Sequence, residues 1–150
     1  MEVNQISEAI VNAAMKVHST LGPGLLESAY EDCLLHELRQ LGLKVEAQKT
    51  LTAANDEVKK AVAGVSYFFE LDGESMNIRE ETLVIDVGPK PDLLVEDAVI
   101  VELKAVKTLL PIHEAQLLSY LKLSGKQVGL LINFNVLHLK DGIRRMVNRL

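Results

Sequence analysis

The sequence predicts an α/β fold, a mixed β-sheet flanked by helices, and three observations carry that prediction. Two stretches before residue 42 repeat their apolar residues every three or four positions. Two short stretches, Pro91–Val95 and Val99–Lys104, read as strands joined by a turn. A strand, a helix and a strand then follow with short connections, a βαβ unit whose two strands should be parallel with a right-handed crossover. The chain has 150 residues, 48% of them apolar and 25% charged, which suits one domain around one core.

Asn4 can cap a first helix, with Ile6, Ile10, Ala13, Ala14 and Val17 at helical spacing behind it. Gly22-Pro23-Gly24 breaks that helix. A second helix runs from about Leu25 to Leu41, with Leu26, Ala29, Tyr30, Cys33, Leu34 and Leu41 as its apolar stripe and Gly42 as its stop. Glu27 falls at the edge of that stripe. Leu43–Leu51 alternates loosely and reads as a first strand. Residues 52–83 read as an extra hairpin insertion, with a strand at Val65–Leu71 and a turn at Asp72-Gly73. Leu83–Val87, Pro91–Val95 and Val99–Lys104 are further strands. Pro111 opens a helix that ends at about Ser124 before Gly125. Gln127–Asn133 is a buried strand, and Ile143–Val147 is an edge strand or short helix after a turn at Lys140-Asp141-Gly142.

Several function classes are excluded. The purely apolar runs, such as Leu130-Leu131-Ile132, are far short of the ~20 residues that span a bilayer. Met1-Glu2-Val3-Asn4-Gln5 is not a secretory signal. The single cysteine, Cys33, permits no internal disulfide and reads as a buried thiol, so a cytoplasmic location is expected. His18, His36, His113 and His138 have no partner at metal-ligand spacing, and His18 and His36 read as surface or boundary residues. Gly22-Pro23-Gly24 lacks the preceding strand and the Lys-Ser/Thr of a phosphate loop. The net charge is −5, which alone argues against a polyanionic ligand. The charge is uneven, though: residues 1–89 sum to −8 and residues 90–150 to +3, and 52–83 alone carry −4. That directs attention to the second part of the chain.

There, Glu102 and Lys104 share one strand face, while Val101 and Leu103 point the other way. A three-residue loop, Glu96-Asp97-Ala98, gives the pairs Val95:Val99 and Leu93:Val101 and sets Asp92 beside Glu102. A two-residue loop would turn Asp92 to the opposite face. The apolar pattern favours the first register, because Leu93, Val95, Val99, Val101 and Leu103 then line one face. Two carboxylates and a lysine suit a hard cation that also meets substrate phosphates. A plain Glu102–Lys104 salt bridge on a solvated strand face stands as the alternative. His113, Gln116 and Tyr120 form one polar stripe on the helix that starts just beyond Lys104. Gln116 could hold a water or a phosphate oxygen, and Tyr120 could pack against a base or backbone. An ordinary exposed helix face is the alternative there. Arg144, Arg145, Arg149 and Lys140 could track a phosphate backbone or simply be an exposed edge.

Pro91-Asp92, Glu102-x-Lys104 and Gln116-x-x-x-Tyr120, with Glu27 upstream, resemble the PD-(D/E)xK nuclease superfamily, the last element resembling its RecB-like branch. Gly24-Leu25-Leu26-Glu27-Ser28-Ala29-Tyr30, with Leu93–Asp97, Val101–Ala105 and Pro111–Leu118, is similar to the small bacterial GxxExxY family. The resemblance covers roughly residues 5–51 and 84–148. It implies a restriction-endonuclease-like core in α-β-β-β-α-β order, a single domain over 1–150 with an insertion at about 52–83. It implies a metal-dependent nuclease in which Glu27, Asp92 and Glu102 bind Mg²⁺ or Mn²⁺. Lys104 would assist the attacking water, and Gln116 would position water or phosphate. Lys90, His113, Tyr120 and Tyr30 would contact the nucleic acid, DNA in preference to RNA. Pro89-Lys90-Pro91 departs from the family's aromatic and arginine, with Lys90 keeping the positive charge. Two other readings remain open: a catalytically silent binding module that keeps the fold, and a homodimer formed through the Val65–Leu71 edge.

Overall fold

The computed structural model describes residues 1–49, 51 and 90–149. Helix α1 spans Val3–Leu21. Ile6, Ile10, Ala13, Ala14 and Val17 recur at helical spacing and are all buried. The helix starts earlier than expected: Asn4 lies inside it, and the Glu2 N–H is satisfied by Gln5 Oε1 at 2.9 Å. Gly22 ends α1 with a φ of +70°.

Helix α2 spans Glu27–Gln40 and buries Tyr30, Leu34 and Leu38, one residue per turn. Leu26 and Leu41, expected in that stripe, are exposed because they flank the helix as its caps. Cys33 is half-buried rather than buried, since it sits beside the central line of the stripe. Gly42, at a φ of +81°, returns the chain, with its N–H on Arg39 and the Leu43 N–H on Leu38.

The strands among the described residues are β1 (Val45–Ala47), β2 (Leu93–Val95), β3 (Val99–Lys104), β4 (Val128–Asn133) and β5 (Ile143–Val147). Helix α3 (Pro111–Ser124) connects β3 to β4, between its predicted proline start and Gly125 in a left-handed cap. The sheet order is β1-β2-β3-β4-β5. Only β3 and β4 are parallel, as the helical crossover requires; the other neighbours are antiparallel. Strand β1 is shorter than the expected Leu43–Leu51, because Gln48 turns to a φ of +52° and ends the extended backbone. A short 3-10 helix, Leu139–Gly142, replaces the expected turn, and β5 takes the strand alternative. The expected strands Val65–Leu71 and Leu83–Val87, and the insertion, lie outside the described residues.

Leu93, Val95, Val99, Val101 and Leu103 all face one core, which they share with α1 and α2. Leu94, Ile100 and Leu131 face a second cluster with Leu117, Tyr120 and Leu121 of α3. The result is a mixed five-stranded sheet with helices on both faces, consistent with the restriction-endonuclease-like α/β fold. Among the described residues no helix is long and apolar enough to cross a membrane.

The return from β4 is tight: a Cβ on Gly142 would collide with the Asn133 carbonyl, and one on Gly129 would press on the Leu117 side chain. A backbone carbonyl cannot yield as a flexible side chain can. Gly142→Ala should therefore destabilise by about 1–3 kcal/mol, and by more than Gly129→Ala, as measured by urea unfolding.

Candidate functional site

The β2–β3 hairpin has the three-residue loop and the register expected, with Leu93 opposite Val101 and Val95 opposite Val99. Asp92, one residue before β2, therefore stands beside Glu102. The two interlock through the backbone: the Asp92 N–H donates to Glu102 Oε1 at 3.0 Å, and the Leu103 N–H donates to Asp92 Oδ2 at 2.7 Å. Asp92 is half-buried, and Glu102 is only 5% exposed.

Burial sets the electrostatics. Glu102 has its pKa pushed up to about 8, first by loss of solvent, then by the Asp92 charge; the Asp92 N–H and Lys104 pull it back down. Glu27, in the first turn of α2, is also raised, by burial and by Asp92, with Lys104 opposing. The four expected residues thus share one electrostatic neighbourhood. It draws on both faces of the sheet, since α2 packs on the face opposite α3. No ion pair ties Glu102 to Lys104 among those of the described residues. Among the described residues, no three His, Cys, Asp or Glu side chains are grouped closely enough to hold a metal ion. Glu27 therefore does not close with Asp92 and Glu102 into the expected trio.

Two residues that the sequence did not single out complete the neighbourhood. Gln48 Nε2 donates to Asp92 Oδ1 at 3.1 Å and to Glu31 Oε1 at 3.2 Å. Glu31 is raised by burial above all, with Asp92 and Glu27 adding and Gln48 opposing. The i, i+4 spacing of Glu27 and Glu31 on α2 was the signal that could have found Glu31. Gln48 had none, because its partner Asp92 lies 44 residues on in the chain. Asn133, opposite Lys104 on β4, was also missed. It is buried, and its side chain accepts from the Val106 N–H at 3.1 Å and donates to the Val106 carbonyl at 2.9 Å. That clasp fixes the exit from β3.

The other expected residues are placed as follows. His113 Nδ1 accepts from the Leu110 N–H at 3.0 Å, closing the start of α3. Gln116 is half-buried one turn on. Tyr120 is buried rather than on an exposed stripe. Its hydroxyl is pushed up to about 12 by burial and by the nearby Glu102 and Asp92 charges. Tyr30 is fully buried and stacks on Phe134 with ring centroids 4.5 Å apart. Its hydroxyl donates to the Gly22 carbonyl at 2.6 Å and accepts from the Leu25 N–H at 3.1 Å. Lys90 is exposed. His18 is buried, not at the surface, with Nε2 2.7 Å from the Val136 carbonyl.

A protein-family model described as the PD-(D/E)XK nuclease superfamily matches residues 4–64 and 70–146 of the chain. Neither curated proteins nor solved structures give a match.

The raised Glu102 pKa has a consequence for stability. The folded state holds this proton more tightly than the unfolded chain does. Its contribution is fully present below the ordinary carboxylate value of 4.5 and is lost as pH rises to about 8. In chelator-treated buffer, stability should fall between pH 5 and 8, by at most about 1.4 kcal/mol per pH unit for this proton. Glu102→Gln, which still accepts from Asp92, should flatten the fall and be the more stable protein at pH 8. Urea titrations across that range measure both.

Proposed function

The chain belongs to the PD-(D/E)XK nuclease superfamily, and on that premise we propose that it hydrolyses phosphodiester bonds in nucleic acid with a divalent cation. The observation that supports this most is the interlocked Asp92–Glu102 pair beside Lys104, with its buried, poorly neutralised acidity. The donors fit Mg²⁺ or Mn²⁺ in type. They are hard oxygens, two carboxylates are enough when water completes the shell, and a carboxylate oxygen that accepts one internal bond keeps acceptor capacity beyond it. Asp92 and Glu102 would hold the ion, with Glu27 reaching it through water. Bound there, the cation supplies neutralisation of phosphate charge and a more acidic water.

The chain's own residues supply the rest. Lys104 shares the face of Glu102, so its ammonium would be the positive group that orients the attacking water and meets the charge developing on phosphorus. Gln116, in the second turn of α3, offers an amide donor to a phosphate oxygen or the water. Lys90, exposed ahead of Asp92, adds positive charge at the approach. The Gly24-x-x-Glu27-x-x-Tyr30 spacing supports a place in the GxxExxY branch, and DNA is the substrate we assign first. The second reading, a silent binding module, draws on the internal hydrogen bonds of both carboxylates, which satisfy the pair without a ligand.

The full chain should nick or degrade DNA when Mg²⁺ or Mn²⁺ is added and lose that activity with chelator. Lys104→Ala and Glu102→Ala should each lower the rate by at least about a hundredfold, the scale of removing one charge-stabilising group. Gel assays on duplex DNA, single-stranded DNA and RNA measure this. Cleavage unchanged in both variants, or none on any substrate with either metal, would leave the silent module as the better account.

A further inference from the structure

Gln48 acts on Asp92 twice. Its N–H donates to the Asp92 carbonyl at 3.0 Å, and its Nε2 donates to Asp92 Oδ1 at 3.1 Å. Its backbone is left-handed, with a φ of +52°, a conformation that a non-glycine residue keeps only where its surroundings hold it. The other Asp92 oxygen, Oδ2, is held by the Leu103 N–H. The carboxylate is therefore gripped from the β1 side and the β3 side, and it cannot turn without breaking both bonds.

The second hydrogen of the same amide goes to Glu31 Oε1 at 3.2 Å. Glu31 lies one turn after Glu27 on α2, so one amide ties the helix that carries Glu27 to the side chain of Asp92. Gln48 is exposed, and water could satisfy both carboxylates there. What the amide adds over water is a fixed position.

We propose that Gln48 is a positioning residue for the cation site: its amide fixes the Asp92 carboxylate and, through Glu31, sets where α2 presents Glu27. This rests on the cation-dependent reading above. Gln48 touches no reacting atom; it acts through Asp92 and Glu31.

Calorimetric titration of the full chain with Mn²⁺ tests this apart from activity. Gln48→Met keeps the length and removes both donors, and it should weaken Mn²⁺ binding roughly tenfold, the scale of losing an outer hydrogen-bond partner. Its thermal midpoint should stay within a few degrees of the wild type. If methionine does not tolerate the left-handed backbone, Gln48→Asn serves. Asparagine accepts that conformation, its amide falls short of Asp92, and the same loss is expected. Glu31→Gln retains an acceptor and should bind within about threefold of wild type. Wild-type affinity in the folded Gln48 variant overturns the positioning role and leaves the cation reading intact. A Glu31→Gln loss as large as that of Gln48→Met makes Glu31 a ligand in its own right and also overturns it. A wild-type chain that takes up no Mn²⁺, or an Asp92→Asn variant that binds it unchanged, overturns the cation reading and this inference with it.

Discussion

Leu93 faces Val101 and Val95 faces Val99 across the β2–β3 hairpin, and the site follows from that register. Side chains alternate along a strand, so placing Leu93, Val95, Val99, Val101 and Leu103 in the main core sends Asp92 and Glu102 to the other face. A slip of one residue would turn Asp92 away from Glu102 and drive its carboxylate into the layer shared with α1 and α2. The desolvation cost of that arrangement far exceeds any gain in backbone pairing. The apolar core therefore enforces the position of the acidic pair, and the bonds from the Asp92 N–H to Glu102 and from the Leu103 N–H to Asp92 lock it.

The register also explains why the site is electrostatically tense. Glu102 lies at the centre of the sheet, with β2 on one side and β4 on the other, under the apolar layer of α3. The Asp92 N–H donates to it and the Lys104 charge favours its ionised form, but loss of solvent and the Asp92 charge outweigh them. In that setting a proton is the cheapest way to neutralise the group, and a small, hard cation is the alternative that leaves both carboxylates ionised. The same tension bears on the net charge of −5. Part of that excess sits in groups whose charge a proton or a metal cancels, so the formal sum overstates what a polyanion would meet at the site.

Much of this was legible in the sequence where the signal is local. The hairpin could be placed because an odd loop count and an alternating apolar pattern agree. Helix α3 could be placed because Pro111 and Gly125 mark its ends. What was not legible depends on contacts made only after the sheet assembles. Gln48 meets Asp92 across 44 residues of chain, and His18 meets the Val136 carbonyl across 118. Tyr120 was read as part of a polar stripe. A tyrosine is apolar along most of its length, and here the ring joins the cluster beneath α3. The cap of α1 shifted because Glu2 and Gln5 together form a better start than Asn4 alone.

The Gly24-x-x-Glu27-x-x-Tyr30 spacing has a structural reason. Gly24 takes a φ of +96°, and the Tyr30 hydroxyl ties the Gly22 carbonyl to the Leu25 N–H. The glycine and the tyrosine thus build the corner between α1 and α2, and Glu27 rides on the corner they make. Two of the three signature residues serve folding, not chemistry. This corner needs both of them whether or not Asp92 and Glu102 hold a cation. The spacing therefore speaks to the architecture of this chain, while Asp92, Glu102 and Lys104 bear separately on its chemistry.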